Sequence, residues 1–372
     1  MTQVKHITEQ IEKLCPLHYA EDFDNVGLLV GDAEQAVKGV LVTLDCLETT
    51  IDEALKNDCN LIVTFHPIIF KGLKKLNGKN YVERTVIKAI KNDIAIYAMH
   101  TALDNSDEGV SAKMAEVIGL QHTSILIPQN GHLKKLTTYV PENAATEIRD
   151  ALFQAGAGHI GDYSHCSFNI SGEGTYVGGE NTKPSVGKPG NLEKVQETFI
   201  SVIFETHVQS KVLKALFDSH PYEEVAYDIV ALENVHERIG MGVIGELEQA
   251  LSPHNFFEHL KRTFNLKSIR HSEITKNEIK KVAVLGGSGS FAIGNALSAK
   301  ADIYITADLK YHDFFRAEGK IILADIGHYE SEQFTKHLLV EYLTKKITNF
   351  APALTKGRII LSKNNTNPIN YF

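Results

Sequence analysis

Two short runs pair an imidazole with a carboxylate four positions later: His100-Thr-Ala-Leu-Asp104 and His328-Tyr-Glu-Ser-Glu332. Each follows an apolar, β-like run, Asp93–Met99 for the first and Lys320–Ile326 for the second, and a third such run, Leu61–Phe65, delivers His66. Three histidines therefore stand at the C-terminal ends of strand-like segments, the edge of an α/β sheet where ligands collect. Neutral imidazoles and carboxylates converging there form the donor set of a divalent transition-metal site, for one ion or two. The spacing of four puts both partners of each pair on one face if the chain turns helically after the strand. A carboxylate can bridge two ions about 3.5–4 Å apart, and such a pair acidifies a shared water for hydrolysis. Glu332 or Asp104 is the natural bridge. A single histidine reads more simply as a hydrogen-bonded core residue; the coincidence of three strand ends carries the argument.

Other residues sit near these ends. Thr306-Ala-Asp-Leu-Lys-Tyr-His312 also begins at a strand end, with Asp308 and His312 four apart. They are candidate catalytic residues, as ligands, as supports for ligands or as substrate contacts. Leu285-Gly-Gly-Ser-Gly-Ser-Phe-Ala292 has the outline of a dinucleotide fingerprint but a weak one, since it falls late and Asp308 lies beyond its strand. A less specific reading has its glycine amides holding an anion at a helix N-terminus. Phe23-Asp-Asn-Val-Gly-Leu28 reads as a turn. His220, His236, His254 and His271 lack a partner pattern at a strand end and read as structural.

The elements that must position the candidates alternate. Lys38–Leu44, Leu61–Phe65 and Asp93–Met99 read as strands, with helices over Glu48–Asn57, Tyr81–Asn92 and Glu108–Ile118 and a stop at Gly119. The last part repeats this grammar: strands at Ile279–Leu285, Ala301–Thr306 and Lys320–Ile326, helices at Ser290–Ala299, Tyr311–Ala317 and Glu332–Leu343, and one more strand at Gly357–Leu361. Such alternation predicts an α/β fold with mainly parallel sheets. The middle differs. Strands at His132–Val140, Ser167–Ser171, Lys194–Glu205 and Glu224–Leu232 and helices at Glu142–Ala155 and His207–Asp218 give the split-βαβ, ferredoxin-like order, with Gly172–Gly190 as loop. The predicted division is residues 1–129 and 237–372 as two halves of one unit, with 130–236 an inserted α+β domain in a surface connection.

At 372 residues the chain is long enough for two or three domains. A net charge of −8 argues against a phosphate backbone as main partner, and the Lys71, Lys74, Lys75, Lys79 cluster reads as a solvated loop. Cys15, Cys46, Cys59 and Cys166 are scattered and read as reduced, buried small hydrophobes. The N-terminal run reads as an amphipathic helix, and no apolar stretch reaches the roughly 18 residues of a membrane span, so a cytoplasmic protein without membrane contact is expected.

Five motifs in order, Phe23–Asp32, Phe65–Phe70, His100–Asn105, Thr306–His312 and Gly327–Glu332, together with Asn367-Pro368, resemble the GTP cyclohydrolase 1 type 2 homologues, also called the NIF-three-like family. Gly156-Ala-Gly158, His165-Cys-Ser-Phe168 and His220-Pro-Tyr-Glu-Glu224 resemble the PII- or CutA-like insert of the longer bacterial members. The resemblance implies two α/β lobes around a dinuclear centre ligated by His66, His100, Asp104, His328 and Glu332, and a toroidal homohexamer. Two divalent ions are implied, zinc first, with manganese or iron as alternatives. Many members carry adjacent histidines where this chain has Phe65-His66. Phenylalanine cannot ligate, so one ion is expected to lose a protein ligand. The functional reading is a metal-dependent hydrolase acting on a nucleotide or related small molecule; a non-enzymatic metal-handling or regulatory oligomer stays open beside it, as does a smaller case for an assembly scaffold.

Overall fold

The computed structural model describes residues 2–347 and 358–372. Two compact units emerge: Met1–Ile127 with Arg238–Phe372, and Pro128–Glu237. The first begins α1 (Val4–Leu14), β1 (Gly27–Val30), β2 (Val40–Thr43), α2 (Glu48–Lys56), β3 (Leu61–Thr64), α3 (Tyr81–Lys91), β4 (Ala95–Ala98), α4 (His100–Asp104), α5 (Val110–Ile118) and β5 (Leu120–Gln129).

The Pro128–Glu237 unit contains β6 (Leu133–Pro141), α6 (Ala145–Gln154), β7 (Phe168–Val177), β8 (Leu192–Glu205), α7 (Gln209–Ser219) and β9 (Tyr227–Ala231). Its sheet runs β7-β8-β6-β9, antiparallel at every pair. Leu136, Val140, Ile200, Val202 and Phe204 on one sheet face pack against Ile148, Leu152, Val212 and Leu216 of the two helices. Residues of opposite parity, Tyr139 and Phe199 among them, point to the other face. β7 is longer than expected: it continues through Gly172 and Gly174 to Val177, where the glycine content suggests loop.

The chain then returns with β10 (His236–Leu251), α8 (Pro253–Phe264), β11 (Arg270–His271), β12 (Ile279–Ser288), α9 (Ile293–Ser298), β13 (Ile303–Ala307), β14 (Ile322–Asp325), α10 (His328–Glu332), α11 (Thr335–Ile347) and β15 (Ile359–Leu361). Gly357, placed in the last strand by sequence, lies outside the described residues. Tyr311–Ala317 is a 3-10 helix in place of the expected α-helix.

One sheet of this unit is ordered β1-β4-β3-β2-β15. β4, β3, β2 and β15 are parallel neighbours and only β1 is antiparallel. Its strands are buried on both faces, hence their near-continuous apolar sequence. Val40, Val42, Leu61, Val63, Ala95 and Tyr97 pack on one side with Val4, Ile7 and Ile11 of α1 and Leu339 and Leu343 of α11. The alternate residues Leu41, Ile62 and Ile96 pack on the other with Ile51 of α2 and Val86 of α3. The second sheet, β11-β14-β13-β12-β10-β5, is mixed: β12, β13 and β14 are parallel, while β10 and β11 run antiparallel to their neighbours β12 and β14. The expectation of mainly parallel strands describes the first sheet and only the core of the second.

Register decides what the sheets present. Thr43, Thr64 and Ala98 lie side by side at the ends of β2, β3 and β4. Two residues beyond each stand Asp45, His66 and His100. In the second sheet Thr306 lies beside Asp325, and Asp308 and His328 follow two and three residues later.

Candidate metal centre

The turns after these strands are fixed by their own backbone bonds. Phe65 N–H donates to Thr43 O, His66 N–H to Leu44 O and His100 N–H to Phe65 O, so the ladder runs past the strands. The Thr64 hydroxyl bonds both Leu44 O and His66 O at 3.1 Å. On the other sheet, buried Asp325 accepts from Leu309 N–H (3.0 Å), Gly327 N–H (3.1 Å) and the Arg270 guanidinium (3.1 Å), tying together the turns that carry Asp308 and His328. Three of these turn residues have positive φ: His100 (+22°), Asp308 (+57°) and Gly327 (+94°). Left-handed backbone at non-glycine residues costs on the order of 1–3 kcal/mol and collects at functional sites.

His66, His328 and Glu332 each bring one ligand atom within 4.8 Å of the others. Glu332 Oε2 lies 3.2 Å from His66 Nε2 and 3.3 Å from His328 Nε2. Those are ion-pair distances without hydrogen-bond alignment, and Oε2 is a buried oxygen with no hydrogen-bond partner. Buried polar atoms in that condition are rare and point to a missing partner. The opposite ring nitrogens are held by carboxylates: His66 Nδ1 to Asp45 Oδ1 at 2.9 Å and His328 Nδ1 to Asp308 Oδ2 at 2.7 Å. His100 repeats the pattern, Nδ1 to Asp24 Oδ1 at 2.9 Å, and Asp24 is itself held by the amide and hydroxyl of Thr101. A carboxylate held on Nδ1 is the arrangement by which outer carboxylates orient histidine ligands.

The charges agree with the distances. Burial disfavours protonation of His66, but its hydrogen bond to Asp45 and the nearby Glu332 carboxylate outweigh that and raise its pKa to about 10. Burial likewise opposes the charge on His328, and Asp308 and Glu332 raise it to about 11. Burial alone would push Glu332 up, yet the two imidazoles bring it down to about 2. Asp104 is pushed well above the ordinary carboxylate range, by burial first and by the Glu332 charge second, with His66 and His328 pulling the other way.

His100 and Asp104 are the first and last residues of α4, on the wall beside the compact group and outside its 4.8 Å limit. The His100 and His66 rings are 5.3 Å apart, centre to centre. Phe65 is fully buried in the core, its ring 4.8 Å from His66 and edge-on to His100 at 5.5 Å, so an apolar surface stands at that position. Asp308 supports His328. His312 is exposed on Tyr311–Ala317, its ring edge-on to Tyr311, with no hydrogen bond or ion pair to the cluster among the described residues. His220, read as structural, is a buried, bonded histidine: Nε2 meets Tyr139 O, and Nδ1 accepts from Tyr222 N–H.

The glycine-rich turn is not an anion cradle. Gly287 N–H donates to the Ser331 hydroxyl at 2.9 Å and Gly286 N–H to Ser111 at 3.4 Å. The missing side chain matters more. A Cβ on Gly287 (φ +69°) would lie 2.3 Å from Glu332 Oε1. The turn is bare so that the carboxylate can approach. Gly287→Ala is therefore expected to displace Glu332 and to cost more than about 1 kcal/mol of stability, as measured by denaturant unfolding; an unchanged midpoint would contradict this.

Three residues of the site escaped sequence reading: Asp24, Asp45 and Thr366. The Thr366 hydroxyl donates to Asp45 Oδ2 at 2.5 Å, so a residue far along the chain steadies the carboxylate that holds His66. Asp45 was findable, since it stands in the same place after β2 as His66 after β3. Asp45→Asn keeps the shape but loses the charge, and is expected to weaken divalent-ion binding roughly 10–100-fold, read by chelator competition.

A mixed α/β fold whose strand ends gather imidazoles and carboxylates into a candidate metal-binding group defines the class of protein. The chain belongs to the Duf34/NIF3 (NGG1p interacting factor 3) family, whose sequence profile matches residues 2–368. It is 37% identical over 370 residues to the GTP cyclohydrolase 1 type 2 homolog of Bacillus subtilis (strain 168), covering 99% of this chain and 98% of that one. A crystal structure of a Bacillus cereus protein related to NIF3 superposes with a TM-score of 0.87 at 38% identity, over 100% of this chain and 99% of that one. A Staphylococcus aureus protein of known structure gives 0.77 at 29% identity, over 100% and 99%. No helix among the described residues is long and apolar enough to cross a membrane.

Proposed function

We propose that this chain holds two divalent metal ions and works as a metal-dependent hydrolase on a nucleotide or related small molecule, in line with the name its relatives carry. The observation that carries the reading is the buried, unpartnered Glu332 Oε2 between two Nε2 atoms whose far sides are locked by Asp45 and Asp308. A cation satisfies that oxygen and both nitrogens at once. His66, His328 and Glu332 would hold the tighter position, and His100 and Asp104 a second, weaker one, which Phe65 deprives of a donor. Zinc suits the nitrogen-rich set, with manganese or iron as alternatives.

Bound ions supply Lewis-acid charge and acidify water at the site. The chain's own groups do the rest. Asp45, Asp24 and Asp308 keep each Nδ1 proton in place and so fix which ring nitrogen is presented. Phe65 excludes water from one wall. Burial and the Glu332 charge favour the protonated form of Asp104 in the ion-free site, and it would give up that proton on joining an ion. The middle unit's βαββαβ order supports an inserted ferredoxin-like, PII/CutA-like domain, and the proposed assembly is a cytoplasmic homohexamer without nucleic-acid partners.

Elemental analysis and anomalous diffraction after loading with zinc, manganese or iron test the centre, and light scattering tests the hexamer. Turnover of nucleotides by loaded protein tests the chemistry: Glu332→Gln and His100→Ala are each expected to reduce it. Turnover that survives both changes would place the activity elsewhere. Metal uptake without turnover on any nucleotide would favour the metal-handling reading.

A further inference from the structure

A cavity of about 430 Å³ opens on the middle unit's sheet, away from the buried face that α6 and α7 cover. We propose that it binds a small organic ammonium ion carried on an aromatic or aliphatic body. Its size falls within the range of small-molecule sites. The rings of Tyr139, Tyr176 and Tyr222 line it, with Pro184 from the glycine-rich connection between β7 and β8. Its carboxylates are Glu197, Glu223 and Glu224, and no lysine, arginine or histidine is among the lining residues. Aromatic faces with carboxylates and no cation attract a desolvated ammonium and repel phosphates and carboxylates.

The site is built, not merely lined. Glu197 Oε1 accepts from the Tyr222 hydroxyl at 2.8 Å. Glu197 Oε2 occupies the space beside Gly174, where a Cβ would come within 2.0 Å of it. Tyr222 thus holds the carboxylate in the space that Gly174 leaves bare. The bonds of His220 to Tyr139 O and Tyr222 N–H, both 3.1 Å, lock the segment carrying Tyr222 against β6. Both bonds suit one neutral imidazole, with Nε2–H donating and Nδ1 accepting. Glu223 accepts from Lys183 N–H at 2.8 Å and ties the connection over the cavity. The run Ser219–Glu224, which the metal centre leaves unused, is explained by this wall. A charged group fixed in advance loses little freedom when a ligand arrives.

Three isosteric probes test the charge rule on the full chain: phenethylammonium, phenethyl alcohol and phenylacetate, followed by ligand-observed NMR and calorimetry. The ammonium is expected to bind at least about tenfold more tightly than the alcohol, a gain of the size that desolvated cation–π contacts give, and the anion not to bind. Glu197→Gln preserves the Tyr222 bond and is expected to bring the ammonium down to the alcohol's affinity. Gly174→Ala, which crowds the carboxylate, is expected to act in the same direction, and it decides the matter if the first variant fails to fold by circular dichroism. Equal binding of all three probes, no binding of any at millimolar concentration, or unchanged ammonium affinity in a folded variant would each overturn the proposal.

Discussion

Glu332→Gln is expected to abolish tight binding of a divalent ion, weakening it by more than the roughly 10–100-fold that loss of an outer partner causes. The glutamine side chain has the same shape and reach, so the change isolates charge. Glu332 Oε2 is the atom that both His66 Nε2 and His328 Nε2 approach. An amide there offers either a neutral oxygen or an NH₂ group that repels a cation. Chelator competition on wild type and variant reads the change, with far-ultraviolet circular dichroism as the check on folding. An affinity within a fewfold of wild type would remove Glu332 from the centre.

Ion binding is also expected to release protons. In the ion-free protein His66 and His328 have pKa values raised to about 10 and about 11, so both are imidazolium at neutral pH. Glu332, brought down to about 2, is already ionised. A metal needs the Nε2 lone pairs, so each imidazolium must give up one proton on binding. Two linked protons make the apparent affinity rise about 100-fold per pH unit between about pH 6 and 9 and fall by as much on acidification. Without the flanking carboxylates, neutral histidines would show almost no such slope above pH 7. Calorimetry in buffers of different ionisation enthalpy counts the protons directly. Release near zero at pH 7 would mean that the imidazoles are neutral before the ion arrives or are not its ligands.

The site was legible where burial leaves a plain signature. Leu61–Thr64 and Ala95–Ala98 are covered on both faces, so apolar runs announce them and the histidines that follow stand out. The i,i+4 pairs mark short helices, and α4 and α10 span the same residues as those pairs. What escaped was carried by long-range geometry. Thr366 joins the site only because the chain returns to pair with β2. Asp24 and Asp45 bind ring nitrogens 76 and 21 residues away along the chain. β10 escaped for another reason. Glycines break its pattern, yet they permit close backbone approach: a Cβ on Gly242 would lie 3.0 Å from Val284 O, and one on Gly245 2.9 Å from Thr123. α8 did carry a signal, Ser252 capping Asn255 N–H with Pro253 at the first turn. β7 was hidden by Gly172 and Gly174, residues that suit a loop but here sit within a strand, one of them beside Glu197.

β2 lies between β3, eighteen residues downstream, and β15, on the far side of the inserted unit. Ribosomes deliver the polypeptide from its amino end, and early segments fold as they emerge. The four strands β6 to β9 hold all their mutual partners within Pro128–Glu237, so that region can be finished during translation. Asp45, His66 and His100 emerge long before His328, Glu332 and Thr366. A half-made chain thus offers scattered histidines and not the candidate metal-binding group. The candidate group is complete only once Glu332 and Thr366, as well as the early histidines, have been made.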